Sequence, residues 1–299
     1  MRALRELVRR NCKLFFKDKG MFFTSLITPV ILLVLYVSFL AKVYRDSITS
    51  FIPAGMELGD KVIDAFVGGQ LVSSLLAVSC VTVSFCSNLL MVRDKLSGAW
   101  DDINVSPVRR STVALGYFFA AAATTLIVSF FALAVGLIYI AASGWYFSVG
   151  DVLGLIGGTV LLTMFGVALS SCINFPLKTQ GQASAVGTIV SSGYGFICGA
   201  YMAISNFPDG LQKVLLFLPG TYGTSLLRTH ALSGALAEMS AQGVPVGFID
   251  ALKKAFDYDL SFFDIRVSLG AKYAVLGIST ALLIGVYVLL NTLTNRKAR

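Results

Sequence analysis

Long apolar runs alternate with short polar punctuation along this chain. Six runs stand out, near residues 21–41, 66–92, 112–142, 152–175, 182–205 and 273–293. Each is about 20 residues or more, the length an α-helix needs to cross a bilayer core of about 30 Å. The third and fourth runs are parted only by Ser143-Gly144-Trp145-Tyr146-Phe147-Ser148-Val149-Gly150-Asp151. Interfacial aromatics in so short a link predict a helical hairpin turning at the headgroups. The pattern therefore predicts an all-α, polytopic membrane protein with six transmembrane helices. The charged stretch ahead of the first run is about twenty residues long and no small-x-small site follows it, which predicts an uncleaved first helix.

Three segments are neither span nor simple loop. In residues 2–17, Leu4, Leu7, Val8, Cys12 and Phe15 fall at helical spacing with Arg and Lys around them. That predicts an amphipathic helix lying along the membrane surface, either as a plain anchor or as an elbow touching a cytoplasmic partner. In RDKLSGAWDDINVSPVRR, residues 93–110, Leu96, Ala99, Trp100 and Ile103 form one apolar face, and Ser106-Pro107 stops the helix and starts the next. Trp100 on such a helix packs either on its own bundle or on another protein. In residues 206–268, Leu211, Val214, Leu215 and Leu218 form one stripe, and Ile249, Leu252, Phe256, Leu260 and Phe263 another. These predict short external helices capping the outer mouth of the bundle, because a solvated loop does not carry so much apolar surface.

Composition strengthens the membrane reading: of 299 residues 56% are hydrophobic and 13% charged, and mean hydropathy is +0.78. A soluble domain carries about 25% charged residues. The net charge of +8 raises nucleic acid as a partner. However, the cations sit in clusters at the ends of apolar runs, which is the positive-inside pattern and not a binding face. Arg2, Arg5, Arg9, Arg10, Lys13, Lys17 and Lys19 precede the first run, and Arg93, Lys95, Arg109 and Arg110 separate the second and third. Lys178 lies between the fourth and fifth, and Arg296, Lys297 and Arg299 follow the sixth. Both termini are thus expected in the cytoplasm, with 206–268 outside. The five cysteines show no C-x-x-C spacing and the one histidine is His230, so neither a metal site nor a disulfide framework is expected.

No Asp, Glu, Lys, Arg or His falls in the central part of any run, which argues against ion-coupled transport and against a membrane enzyme using carboxylates or a metal. In the fifth run Ala183, Gly187, Ser191, Gly195 and Gly199 recur every four residues, a ridge that lets helix backbones approach, within the chain or at a subunit interface. In the second, Ser73, Ala77, Cys80, Ser84 and Asn88 form a small, weakly polar stripe, either bundle packing or a translocation path.

The chain resembles the type-2 ABC exporter permeases, the family that covers drug, lipid and polysaccharide export. Three stretches carry the resemblance: LVRRNCKLFFKDKGMFFTSLITPVILLVLY, RDKLSGAWDDINVSPVRRSTVALGY and the external FLPGTYGTSLLR. It implies one permease domain over 1–299, with an elbow helix in 1–20, a coupling loop in 93–110 and external helices in 206–268. By position, Asp94, Leu96, Gly98, Trp100, Asp101, Ile103 and Pro107 would form or shape the contact with an ATPase. No G-x-x-x-x-G-K-[ST] phosphate loop occurs, so ATP and Mg are expected on separate ATP-binding subunits, two copies, with no cofactor on this chain. A second permease chain, the same or a paralogue, and membrane lipids complete the expected partners; nucleic acid is not one. The expectation is a prokaryotic plasma-membrane exporter of a hydrophobic or amphipathic substrate such as a drug, lipid-like molecule or glycolipid. A non-transporting sensor or resistance component on the same scaffold is the alternative, with a channel or membrane enzyme behind it. Segment 243–266 departs from compact relatives by its length.

Overall fold

The computed structural model describes residues 2–51, 58–263 and 265–293. Arg296, Lys297 and Arg299, which helped to orient the last run, lie outside them. Helices dominate: α1 (Arg2–Lys17), α2 (Lys19–Leu35), a π turn (Tyr36–Leu40), α3 (Ala41–Phe51), α4 (Asp60–Leu96), α5 (Ala99–Val105), α6 (Arg110–Ser143) and α7 (Val149–Asn174). There follow α8 (Gln180–Ile197), a 3-10 turn (Ile204–Asn206), α9 (Asp209–Leu215), α10 (Pro219–Ala241), α11 (Val246–Ala255) and α12 (Leu269–Leu293). Two-residue strands β1 (Ser261–Phe262) and β2 (Ile265–Arg266) pair antiparallel ahead of α12.

Local chemistry sets the boundaries. The Asp18 carboxylate accepts from the Met21 N–H (3.0 Å) and so caps α2. This hydrogen bond, and then the Arg93 guanidinium, hold the Asp18 pKa below the ordinary carboxylate value. Ser148 and Asp151 form a capping box that starts α7 directly after the hairpin turn. Gly98, at φ +80°, turns the chain from α4 into α5, a conformation a side chain would strain.

Among the described residues, five helices are long and apolar enough to cross a membrane: Lys19–Ser50, Asp60–Leu96, Arg110–Ser143, Val149–Asn174 and Leu269–Leu293. The central one is α4, with 94% of its most apolar window buried, against 17% for α12. Around α4 stand α2, α6, α7, α8 and α10. The first run is longer than its apolar stretch suggested, because α2, the π turn and α3 continue as one helix. Its C-terminal part is tied to α4 by Arg45, which pairs with Asp60 and, at 2.6 Å, with Asp64.

One expectation changes, and two features go beyond the sequence reading. The fifth run does not form a helix to residue 205: α8 stops at Ile197, 18 residues long. At about 1.5 Å per residue it covers about 27 Å. The apolar stripe of α1 does not face lipid alone; it packs on α6, with Leu7 against Gly116, the Cys12 thiol 3.8 Å from the Ala120 carbonyl, and Phe15 buried. The longest helix of 206–268, α10, lies between the two apolar stripes and belongs to neither. α10 lies lengthwise against α4, α7 and α12, where Gly154 and Gly158 of α7 admit His230 and Leu227. Gly223 of α10 reaches Leu162, midway along α7.

Candidate functional site

One end of the bundle gathers the basic segments. Asp94, near the end of α4, pairs with Arg10 of α1 (2.6 Å) and accepts from the Tyr117 hydroxyl of α6. The same Asp94 contact holds the Arg10 pKa up, so this guanidinium stays charged. Arg93 pairs with Asp18, and Lys95 donates to the Phe175 carbonyl at the end of α7. The elbow, the 93–110 loop and the α7–α8 turn therefore share one face.

On that face α5 is a seven-residue helix between α4 and α6. Its apolar side is divided. Trp100 stacks on Tyr117 with ring centroids 5.5 Å apart, and Trp100 and Ile103 rest half-buried on the core beneath. Leu96, the last residue of α4, and Val105 remain exposed. Asp101 is exposed in the first turn, and Pro107 follows the C-cap Ser106. Asp94 differs from its neighbours: it is 6% exposed and faces inward, so it holds the elbow and does not present itself on the surface.

Between α2 and α8, against α4, runs an open groove of about 1110 Å³. Small-molecule sites span about 300–1,000 Å³. Its walls alternate apolar residues (Ile27, Ile31, Leu32, Leu35, Leu89, Phe196) with hydroxyls (Thr24, Thr28, Ser184, Thr188, Ser191, Ser192). Thr24, Thr188 and Ser192 donate back to carbonyls of their own helices, at 2.6, 3.0 and 2.6 Å. Their oxygens thus present acceptors at little desolvation cost. Arg93 stands at the basic end of the groove.

The small-residue ridge divides on this wall. Gly187 and Ser191 line the groove, and among the described residues nothing lies within 4 Å of a Cβ placed on Gly187. A Cβ on Gly195 would meet the Tyr201 ring at 2.3 Å, so its smallness serves the chain's own turn. Gly199 lies beyond α8 at φ +77°. The polar stripe of α4 is elsewhere: Ser73, Cys80 and Ser84 are 0% exposed and Asn88 2%. Asn88 donates to the Val167 carbonyl and to the Ser170 and Ser171 hydroxyls of α7, and Cys80 bonds the Thr159 carbonyl. None of the four touches the groove. The hydroxyls of α2 and α8 that do were absent from the expected path, although Ser191 was expected in the packing ridge. Their four-residue spacing (Ser184, Thr188, Ser192) was the available signal.

Sequence reasoning also missed charge inside the bundle. Arg228 of α10 pairs with Asp257 at 3.0 Å, with 1% and 5% side-chain exposure. It also donates to the Gly199 carbonyl (2.5 Å) and to Ser74 of α4 (3.3 Å), while Asp257 accepts from the Ile204 N–H. Lys272 of α12 donates to Thr229 and the Tyr258 carbonyl. Together these tie α4, α10 and α12 to the segments that follow α8 and α11. Arg228 and Asp257 fall in the segment assigned outside, so a survey of the apolar runs passed over them.

Comparison with known proteins places this arrangement. A family model described as ABC-2 type transporter matches residues 2–231, which takes in the elbow, the α5 loop, both groove walls and half of α10. No curated protein matches the chain.

Proposed function

The chain belongs to the ABC-2 type transporter family, and from that premise we propose that it is the membrane half of an exporter that moves an amphipathic substrate through the α2–α8 groove. Family and apolar helices together make it a multi-pass membrane protein and the permease component of an ABC transporter. Export, the substrate class and the course of the path are our reading. The groove carries it: a large open channel wall, apolar with hydroxyl acceptors, in a chain whose other polar stripe is sealed between α4 and α7. An amphiphile satisfies such a wall by apolar contact along α2 and a few hydrogen bonds along α8.

In this reading a second permease copy or paralogue faces the groove, and α8 with its following turn serves as the fifth of six spans. The basic end is cytoplasmic, in line with the positive-inside rule. There Leu96 at the end of α4, with Asp101 and Val105 of α5, meets a separate ATP-binding subunit, where Mg and ATP reside. Trp100 and Ile103 seat α5 on the bundle, Gly98 and Pro107 shape its ends, and Asp94 anchors the elbow behind it. What supports this is the exposed apolar surface of Leu96 and Val105 on either side of a short helix whose Trp100 and Ile103 are only half-buried.

Co-purification tests the proposal. Tagged chain, co-expressed with its genomic neighbours, should bring down an ATP-binding subunit that Leu96→Glu with Val105→Glu releases. A pure preparation without such a subunit, or one indifferent to those changes, refutes the coupling face.

A further inference from the structure

Asp94 and Lys95 stand side by side at the end of α4, and their side chains part. Asp94 turns to α1 and α6 through Arg10 and Tyr117. Lys95 turns to α7. Its Nζ donates to the Phe175 carbonyl, lies 4.8 Å from the Phe175 ring centroid and lies 5.3 Å from that of Trp100. Phe175 closes α7, and Thr179 caps α8 only four residues later.

A lysine at the end of a span ordinarily extends its ammonium into water. Lys95 is half-buried, and among the described residues no carboxylate pairs with it. Two aromatic faces and a carbonyl hold it instead. That carbonyl belongs to the C-terminal end of α7, where unfilled acceptors and the helix dipole favour a cation. Lys95 also lies in the last turn of α4. One ammonium on the last turn of α4 therefore closes the end of α7 and grips the indole of α5 by its face. Along the backbone, α5 and the α7–α8 turn are separated by two whole helices, α6 and α7. Through Lys95 they are separated by one side chain.

We infer that Lys95 is a positioning residue that joins α5 to the α7–α8 turn, so that a displacement of α5 passes through Trp100, Lys95 and Phe175 to α8, the groove wall. What would displace α5 rests on the proposed ATP-binding partner; the link itself does not. Isoleucine or methionine at 95 would fill space but could neither cap α7 nor hold the indole electrostatically.

Hydrogen exchange read by mass spectrometry on the purified full chain in lipid nanodiscs tests the link, over amides 177–184. Trp100→Ala should raise exchange in this turn by about two- to five-fold, as the loss of a cation–π contact predicts. The same change made on a Lys95→Met chain should add nothing, and Lys95→Arg should restore the sensitivity. A turn unmoved by Trp100→Ala overturns the inference, as does an equal rise with methionine at 95. Should Lys95→Met not fold, the Trp100→Ala and Lys95→Arg arms still decide. No ATP-binding subunit is present in this sample, so a failed co-purification and a failed link are separate results.

Discussion

Arg228 and Asp257 form an ion pair almost free of solvent, and each is also bonded to backbone, Arg228 to the Gly199 carbonyl and Asp257 to the Ile204 N–H. Removing one member of such a pair costs about 3–5 kcal/mol, because the survivor is left charged and buried. Arg228→Met and Asp257→Leu should therefore each lower the unfolding midpoint of the purified chain sharply. The double variant should recover much of the loss, since apolar replacement of both members is often near neutral. Equal midpoints for all three variants and the parent would show that the pair is solvated. At the opposite end, Asp18 has its pKa held down by the Met21 amide and by Arg93. A depressed carboxylate stabilises the fold above its unfolded pKa of about 3.9 and loses that contribution as the pH falls below it. Asp18→Asn should thus flatten the acid limb of a stability–pH curve while keeping its capping oxygen.

At the scale of elements, α8 separates two roles that looked alike along the chain. Gly195→Leu places its side chain into the Tyr201 ring and should destabilise the isolated chain by about 1–3 kcal/mol, the cost of overpacking. Gly187→Leu meets open groove and should leave the chain's own stability unchanged. If a second copy covers the groove, Gly187→Leu should weaken self-association, read by mass photometry. A variant pair with the reverse pattern would move the packing face of α8. Trp100 is likewise an element-scale residue, seating α5 through Tyr117 and Lys95. In the proposed complex Trp100→Ala should retain ATP hydrolysis and lose substrate export; parallel loss of both would point to a simple assembly defect.

For the whole molecule, the arrangement is a buried central helix with an unsealed flank. Thr188→Phe and Ser184→Phe on that flank should narrow the groove and lower export without weakening capture of the ATP-binding subunit. Retained export in both would place the path elsewhere. Helix existence, the amphipathic elbow, the short helix after α4 and the family itself were legible in the sequence. They depend on run length, on spacing within one helix and on charge at the ends of runs, all of which are local. The site was legible at α5 and blurred at the groove. Ser73, Cys80, Ser84 and Asn88 offered the more conspicuous polar stripe, yet that face of α4 is the one α7 covers. Spacing along one helix reports which residues share a face, and says nothing of which neighbour closes it.

By itself, then, the sequence determined that this chain lives in a membrane, where most of its long apolar helices lie and which family it belongs to, because lipid demands long self-satisfied helices whatever their neighbours do. Only the tertiary structure decided that α10 lies alongside α7, that Arg228 and Asp257 meet inside the bundle, that Asp94 faces inward, and that the open face runs between α2 and α8. Those outcomes depend on contacts between residues as far apart as Ser74 and Arg228, whose closeness arises only when every helix has chosen its partner.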